Sequence, residues 1–512
     1  MSGIVWGAFI MALIPIVWLI VSLGVIKMAA PKATFIGLVL TMVIAILGFK
    51  LSPVDTFSGA AEGALMGLFP IIYVIIAALF TYNVTTKSGA MNKIQDMLSA
   101  ITTDKRILTL IIAWGFGGFL EAIAGFGTAV AIPAGILIAF GVDPIRASVV
   151  CLIANTTPTA FGAIGLPVIT LGQVTGLNLS TLSVVVTIQL MLLIILIPFV
   201  LVAVVDKGIK SLKGVFGITL MSGLAFALPQ IFIAKFVGPE LPAIVGSILS
   251  IGVTVLMAKM RKADPDAEKI EVTHHSSSEL LKACAPFILV FVFVLLASSL
   301  VPPINHALNA ASFKFPVYTG KNAGLFNVNL LASPGTLIIV ATLIGGLIQG
   351  MQLGELFKIL GTTIAGLWKT MITVCSIVAL AKVMGYSGMT ANLADTLVKI
   401  MGPAYPLVAP VIGALGTFIT GSDTSANVLF GNLQLQASHA LGVNQYWLVA
   451  NNMVGATAGK MISPQSIAVA SAAIGQEGSE GEILKQALKW CALYLVVICV
   501  ALFFMGKMNI SF

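Results

Sequence analysis

The chain has 512 residues, of which 58% are hydrophobic and 9% charged, where soluble domains carry about 25% charged residues. With a mean hydropathy of +1.07, that composition excludes a soluble enzyme and describes a polytopic membrane protein, whose apolar segments must cross about 30 Å of hydrocarbon. The net charge of +8 does not argue for a nucleic-acid partner, because where the basic residues lie explains it better.

In chain order, the first apolar run, 4–26, is too long for the hydrophobic stretch of a cleaved signal and reads as a membrane span. Further spans are expected at 33–49 and 60–82, then at 181–205, 214–234 and 240–260. After a polar segment, 261–282, come spans at 283–301, 335–353, 361–386 and 486–506. Two regions, 107–175 and 403–475, are equally apolar but are cut repeatedly by glycine, proline and hydroxyl or amide residues. Lipid cannot satisfy freed backbone groups, so broken helices at bilayer depth survive only inside protein or beside a cavity. Function is therefore expected in these two regions. Cys151, Cys284, Cys375, Cys491 and Cys499 sit singly in apolar runs; they read as small packing groups, with no disulfide framework, metal site or cofactor implied.

Lysine and arginine placement gives an orientation. Suppose each interrupted region is a hairpin that enters and leaves on one face, followed by one broken crossing. Most basic residues of the connections, among them Lys27, Lys32, Lys105, Arg106, Arg146, Lys213, Arg261 and Lys358, then share one face. Lys50, Lys235, Lys314, Lys321, Lys382, Lys399 and Lys507 fall on the other. The positive-inside rule makes the first face cytoplasmic, with 261–282 as its main loop and both chain ends outside.

The two halves resemble each other at a shared offset of 299 positions, which aligns Gly67-Leu68 with Gly366-Leu367, Ser88-Gly89 with Ser387-Gly388 and Asp96 with Asp395. With small gaps the pattern continues, setting Gly125 to Thr128 against Gly421 to Thr424. Under the orientation above the copies face opposite ways. The expected fold is therefore an all-α polytopic transporter with inverted repeats, two re-entrant hairpins and two discontinuous helices. Residues 88–175 and 387–475 form its expected transport domain. Residues 1–87, 176–260, 283–386 and the final span in 476–512 form its scaffold. Amphipathic stretches at 88–101 and 387–400 are expected to lie at the membrane interface and to join the two parts.

The chemistry should sit at the hairpin tips. In the first, glycine-rich hairpin, Gly125, Phe126, Gly127 and Thr128 offer unpaired amides and a helix N-terminus to an anion. In the second, Ser422, Asp423, Thr424 and Ser425 supply hydroxyls and a carboxylate. The first discontinuous helix is expected to part at Asn155, Thr156 and Thr157, and the second from Asn451-Asn452 through Gly455 and Gly459 to Pro464. Glu121, Asp423 and Lys460 are the sharpest candidates, since an ionisable group at bilayer depth costs roughly 2.5–3.5 kcal/mol on insertion scales and is usually functional. Asp423 or Glu121 would carry a proton. Lys460 would meet a substrate carboxylate or serve as countercharge to Asp423. Glu62 and Lys369 are expected only to snorkel.

Gly115 to Ala129, Gly141 to Pro144, Ala154 to Gly162, Gly165 to Pro167 and Gly421 to Asn427 resemble the L-lactate permease family. The resemblance covers nearly the whole chain. It implies proton-coupled uptake of L-lactate and relatives such as glycolate and D-lactate across a bacterial cytoplasmic membrane, with no enzymatic step. The family is similar in turn to the ion-transporter superfamily, whose members move an elevator-like domain against a scaffold. The implied partners are a small monocarboxylate, a proton and the lipid bilayer. Sodium coupling through oxygens of Asn155, Thr157 and Asn451 and the hairpin carbonyls, and an anion channel, stand as alternatives, and a homodimer is one open assembly.

Overall fold

Apolar segments without water to satisfy their amides must close their hydrogen bonds internally, and here they do so as helices. The computed structural model describes the chain apart from residues 1–5, 27, 100, 124, 126–127, 207, 261–275, 299, 322, 475, 477–478 and 508–512. The first half runs α1 (Trp6–Leu19), α2 (Ala30–Leu47), α3 (Pro53–Met66), α4 (Tyr73–Lys87), α5 (Ala90–Ser99), α6 (Lys105–Thr109) and α7 (Gly117–Ile123). It continues through α8 (Thr128–Ala139), α9 (Pro144–Ala154), α10 (Gly162–Thr175), α11 (Leu179–Val205), α12 (Phe216–Phe236) and α13 (Pro242–Met260). The second half opens with α14 (Ser277–Ala297), α15 (Pro302–Ala310), and strands β1 (Ser312–Pro316) and β2 (Leu325–Asn329). Then follow α16 (Pro334–Ile348), α17 (Leu353–Gly366), α18 (Trp368–Tyr386), α19 (Met389–Met401), α20 (Tyr405–Thr420), α21 (Asp423–Leu441), α22 (Gln445–Ile462), α23 (Pro464–Ala473) and α24 (Glu480–Gly506). Among the described residues, eleven helical stretches are long and apolar enough to cross a membrane.

Local chemistry sets the helix starts. Prolines stand at the first positions of α3, α9, α16 and α23, where no amide is needed. Ser52, Asp143, Asn178, Asn444 and Ser463 cap their helices by accepting an amide hydrogen from two or three residues into the helix. Ser276 and Glu279 form a reciprocal capping box on α14.

Beyond a division of the expected span 361–386 at Leu367, between α17 and α18, three features depart from the sequence reading. The expected span 60–82 is interrupted, because Phe69, preceding Pro70, takes an extended conformation (φ −131°, ψ 123°) between α3 and α4. The connection before α16 holds an antiparallel β hairpin, with Ser312 opposite Asn329; its alternating short sequence gave no apolar run to detect. The third departure concerns the second discontinuous helix. α22 runs unbroken through Asn451, Asn452, Gly455 and Gly459, and the break comes only at Ser463, ahead of Pro464. The glycines serve packing instead: a Cβ at Gly455 would collide with the Pro410 carbonyl, one at Gly459 with the Ala414 carbonyl, and one at Gly413 with the Asn452 carbonyl. α20 and α22 thus touch backbone to backbone, the mode small residues permit in membranes.

Glu62 does not snorkel. It is 8% exposed, pairs with Lys382 Nζ at 2.9 Å and accepts from the Tyr386 hydroxyl at 2.7 Å, joining α3 to α18. Tyr318 stacks on Tyr386 with ring centroids 3.6 Å apart, so the segment between the strands closes over this pair. Glu62→Ala leaves Lys382 without its counterion in a partly buried place. The variant should lose about 3 kcal/mol of stability, read as a lowered thermal midpoint of the detergent-solubilised protein; an unchanged midpoint would show the pair to be idle.

Candidate functional site

The site is built where helix breaks meet. α7 ends at Ile123 and α8 begins at Thr128, so the two helices form a hairpin whose turn includes Gly125 at φ +60°. Phe126 and Gly127 lie outside the described residues. Beside this turn α9 gives way at Asn155, a short 3₁₀ turn covers Pro158–Phe161, and α10 resumes with the whole pair bent by 54°. Ala163 (φ 44°), Ile164 (φ 58°) and Gly165 (φ 76°) follow one another in the left-handed region. That region is unfavourable for a β-branched residue, and such strain persists only where surrounding structure enforces it. The enforcement is visible at Gly165, where the Pro239 carbonyl between α12 and α13 leaves no room for a Cβ.

This geometry positions Glu121. The carboxylate is 3% exposed; Thr159 donates to its Oε1 at 3.1 Å, while Oε2 is buried without a hydrogen-bond partner. A Cβ at Gly162 would stand 2.9 Å from Oε1, so glycine there lets the bend close over the carboxylate.

The second hairpin pairs α20 with α21 through Gly421, at φ 72°, and Ser422. Ser422 caps α21 by accepting from the Ser425 amide at 3.3 Å. Asp423, the first residue of α21, is 3% exposed; the hydroxyls of Thr159 and Thr417 stand near its carboxyl group, but among the described residues neither carboxyl oxygen makes a hydrogen bond of good geometry. Lys460, in the last turn of α22, donates to the Gly421 carbonyl at 3.0 Å. It forms no ion pair with Asp423 within 4.0 Å, so the fixed-countercharge role is not realised as a contact; its charge still attracts both Asp423 and Glu121 through space. Asn427 ties the two broken regions together, donating to the Pro167 carbonyl at 3.0 Å.

These groups line one cavity of about 450 Å³. Glu121, Gly125, Thr159, Gly162, Ser422, Asp423, Thr424, Ser425 and Lys460 face it from the two hairpins and breaks. Ile75 of α4, Leu23, Met28, Ala30 and Pro31 around the junction of α1 and α2, and Lys369, Thr370, Thr373 and Val374 of α18 complete the lining. Its buried end is at Glu121, Thr159 and Asp423; Lys369, Pro464 and Gln465 are exposed at its rim. Asn155, Thr156, Thr157, Asn451 and Asn452 stand behind this lining. The Thr156 hydroxyl bonds the Ile153 carbonyl of its own helix, and Asn452 donates to Asn427 Oδ1 at 3.0 Å. Sequence reasoning left Thr159, Thr370, Thr373 and Gln465 out of the binding set and set Lys369 aside. For Thr159 the signal was available, since it lies in the same Asn-Thr-Thr-Pro-Thr break as the residues that were chosen.

Two buried carboxyl groups, two amines, several hydroxyls and the start of α21 therefore converge on one space. Such an arrangement can hold a small anion while exchanging protons with it. Comparison with known proteins bears on which anion. The family model described as L-lactate permease matches residues 8–508. An L-lactate permease of Streptococcus iniae is 57% identical over 86% of this chain and 93% of its own length. The glycolate permease GlcA of Escherichia coli K12 is 34% identical over 97% and 95%, respectively. Among solved structures, MtrF of Neisseria gonorrhoeae, from a class described as antimetabolite efflux pumps, matches with a TM-score of 0.51 at 12% identity, covering 94% of this chain and 96% of that one. That last likeness is one of fold.

Proposed function

Given that the chain belongs to the L-lactate permease family, and so is a multi-pass membrane permease and no enzyme, we propose that it takes up L-lactate and related small 2-hydroxy monocarboxylates, glycolate and D-lactate among them, by proton symport. The relatives named for lactate and for glycolate support the substrate class. One observation supports the coupling: Asp423 is buried at the head of α21 without an ion pair or a well-formed hydrogen bond among the described residues, in the wall of a cavity that also holds Lys460. A permanently ionised carboxylate in that position would be desolvated with no ion pair, and with only the through-space attraction of Lys460 and nearby hydroxyls to offset the cost. A carboxyl that binds a proton when substrate enters and releases it when substrate leaves meets no such penalty. Lys460 and the hydroxyls of Ser422, Thr424 and Ser425 receive the substrate carboxylate and 2-hydroxyl, with Glu121 as second proton site.

In this reading 88–175 and 387–475 move against the remaining helices, since the cavity is walled by both groups. The halves of the chain that carry 88–175 and 387–475 are inverted repeats of each other in a bacterial cytoplasmic membrane, with both chain ends outside. The cavity then opens inward, because its rim at Lys369 and the α1–α2 turn belongs to the lysine-rich face. Of the oxygens that would serve sodium, those of Asn155, Thr157 and Asn451 lie outside the cavity lining, while the hairpin residues Gly125 and Gly421 line it. Uptake of labelled lactate into proteoliposomes with pH and sodium gradients imposed separately tests the proposal. Concentrative uptake should follow the pH gradient in sodium-free buffer and be competed by glycolate. Uptake that follows only a sodium gradient at clamped pH overturns the coupling, and equilibration without concentration overturns active transport.

A further inference from the structure

Charge in the cavity is unevenly committed. Of its four ionisable side chains, Glu121 and Asp423 are buried and Lys460 is engaged by the Gly421 carbonyl. Lys369 is exposed at the rim, and among the described residues it forms no ion pair and donates to no acceptor; its Nζ lies 5.5 Å from the centre of the Trp368 ring. It does not stand alone. Lys369, Thr370, Thr373 and Val374 fall on one face of α18 by helical spacing and all line the cavity, and α18 packs against α21, the helix headed by Asp423. Asp423 supplies an independent sign of a ligand, being 97% buried, without an ion pair or a well-formed hydrogen bond among the described residues, and in the wall of the same space.

We infer that Lys369 is a substrate-binding residue, the amine that meets the monocarboxylate at the rim of the cavity and passes it to Lys460. The inference rests on the transport reading above and adds to it a contact on the α18 side. An anion approaching two carboxyl groups is repelled unless a cation precedes them. A lysine at the mouth of a low-dielectric cleft focuses the field and raises the local anion concentration. Lys460, already holding the hairpin tip, is poorly placed for this first contact. Lys369 has three free donors on a flexible stem, and Thr370 adds a hydroxyl one residue on. Because α18 belongs to the helices against which the two hairpins move in the transport reading, Lys369 touches substrate only while the cavity is open toward it. Its loss should therefore weaken capture and leave the turnover of bound substrate nearly intact.

Full-length Lys369→Gln and Lys369→Arg variants in proteoliposomes test this. Lys369→Gln should raise the half-saturating lactate concentration roughly tenfold, the loss of one charge-assisted hydrogen bond, with maximal rate within about twofold of the parent protein; Lys369→Arg should restore most of the affinity. In parallel, acylation of solubilised protein by an amine-reactive ester, followed by mass spectrometry, should show Lys369 protected by lactate and exposed Lys235 unaffected. Unchanged half-saturation together with unprotected Lys369 overturns the inference. So does loss of thermal stability in Lys369→Gln without any change in lactate affinity, the result expected of a lysine that binds lipid phosphate. Failure of the parent protein itself to move lactate would sink the transport reading first and is told apart by that control.

Discussion

Asp423→Asn should abolish lactate accumulation driven by a pH gradient while preserving a folded protein that still exchanges internal for external lactate. Asparagine is nearly isosteric with a neutral aspartic acid and keeps the hydrogen-bonding capacity of one carbonyl oxygen, but it cannot release a proton. If Asp423 cycles between charged and neutral forms, the variant is fixed in the form that accompanies substrate. It can cross loaded in both directions, which is exchange, and cannot return empty and deprotonated, which accumulation requires. Stability provides an internal check. No ion pair is lost, and the remaining amide oxygen can still accept from the nearby Thr159 or Thr417 hydroxyl, so the thermal midpoint should be unchanged or raised, since a buried charge has been removed. Undiminished accumulation by Asp423→Asn would transfer coupling to Glu121, the other buried carboxyl of the cavity.

A second substitution should act on the fold alone. Gly455→Leu puts a side chain where the Pro410 backbone already stands, and α22 is held against α20 at Gly413 and Gly459 in the same manner. Overpacking usually costs about 1–3 kcal/mol because side chains move aside. Here the obstacle is main chain on a neighbouring helix, so the loss should exceed that range and the variant should fail to elute as a monodisperse, folded species in size-exclusion chromatography. Gly217→Leu, at an exposed position on α12 where a Cβ would meet nothing within 4 Å, is the matched control and should elute like the parent. A folded Gly455→Leu protein would show that the two helices can separate freely.

Those glycines also show what the sequence made legible and what it did not. Composition and apolar runs were sufficient for an all-helical membrane protein, because bilayer thickness and backbone hydrogen bonding leave few other solutions. The first break was legible at Asn155 to Pro158 since proline and clustered hydroxyls both oppose a continuous helix, and it lies there. The second was anticipated too early. Asn451, Gly455 and Gly459 look like helix breakers in one dimension, yet glycine also admits a close neighbour, and only the position of α20 decides between these uses. Glu121, Asp423 and Lys460 were found because charge is rare in apolar sequence, and all three line the cavity. Lys369 was passed over for a related reason. Near the end of a span a lysine has an easy route to water, and nothing local reveals that the route runs through a cavity.

α18 touches that cavity with its first two turns and, at its other end, presents Lys382 and Tyr386 to Glu62 and Tyr318. Its 19 residues span about 28 Å at 1.5 Å each, most of the thickness of a bilayer. A stiff rod of that length cannot tilt at one end without displacing the other, so any tilt of α18 at Thr370 would be carried to the stacked tyrosines. A lactate-dependent change in the emission of a fluorophore on the exposed β hairpin would reveal such a tilt from across the membrane, and an unchanged emission would show the helix to stand still.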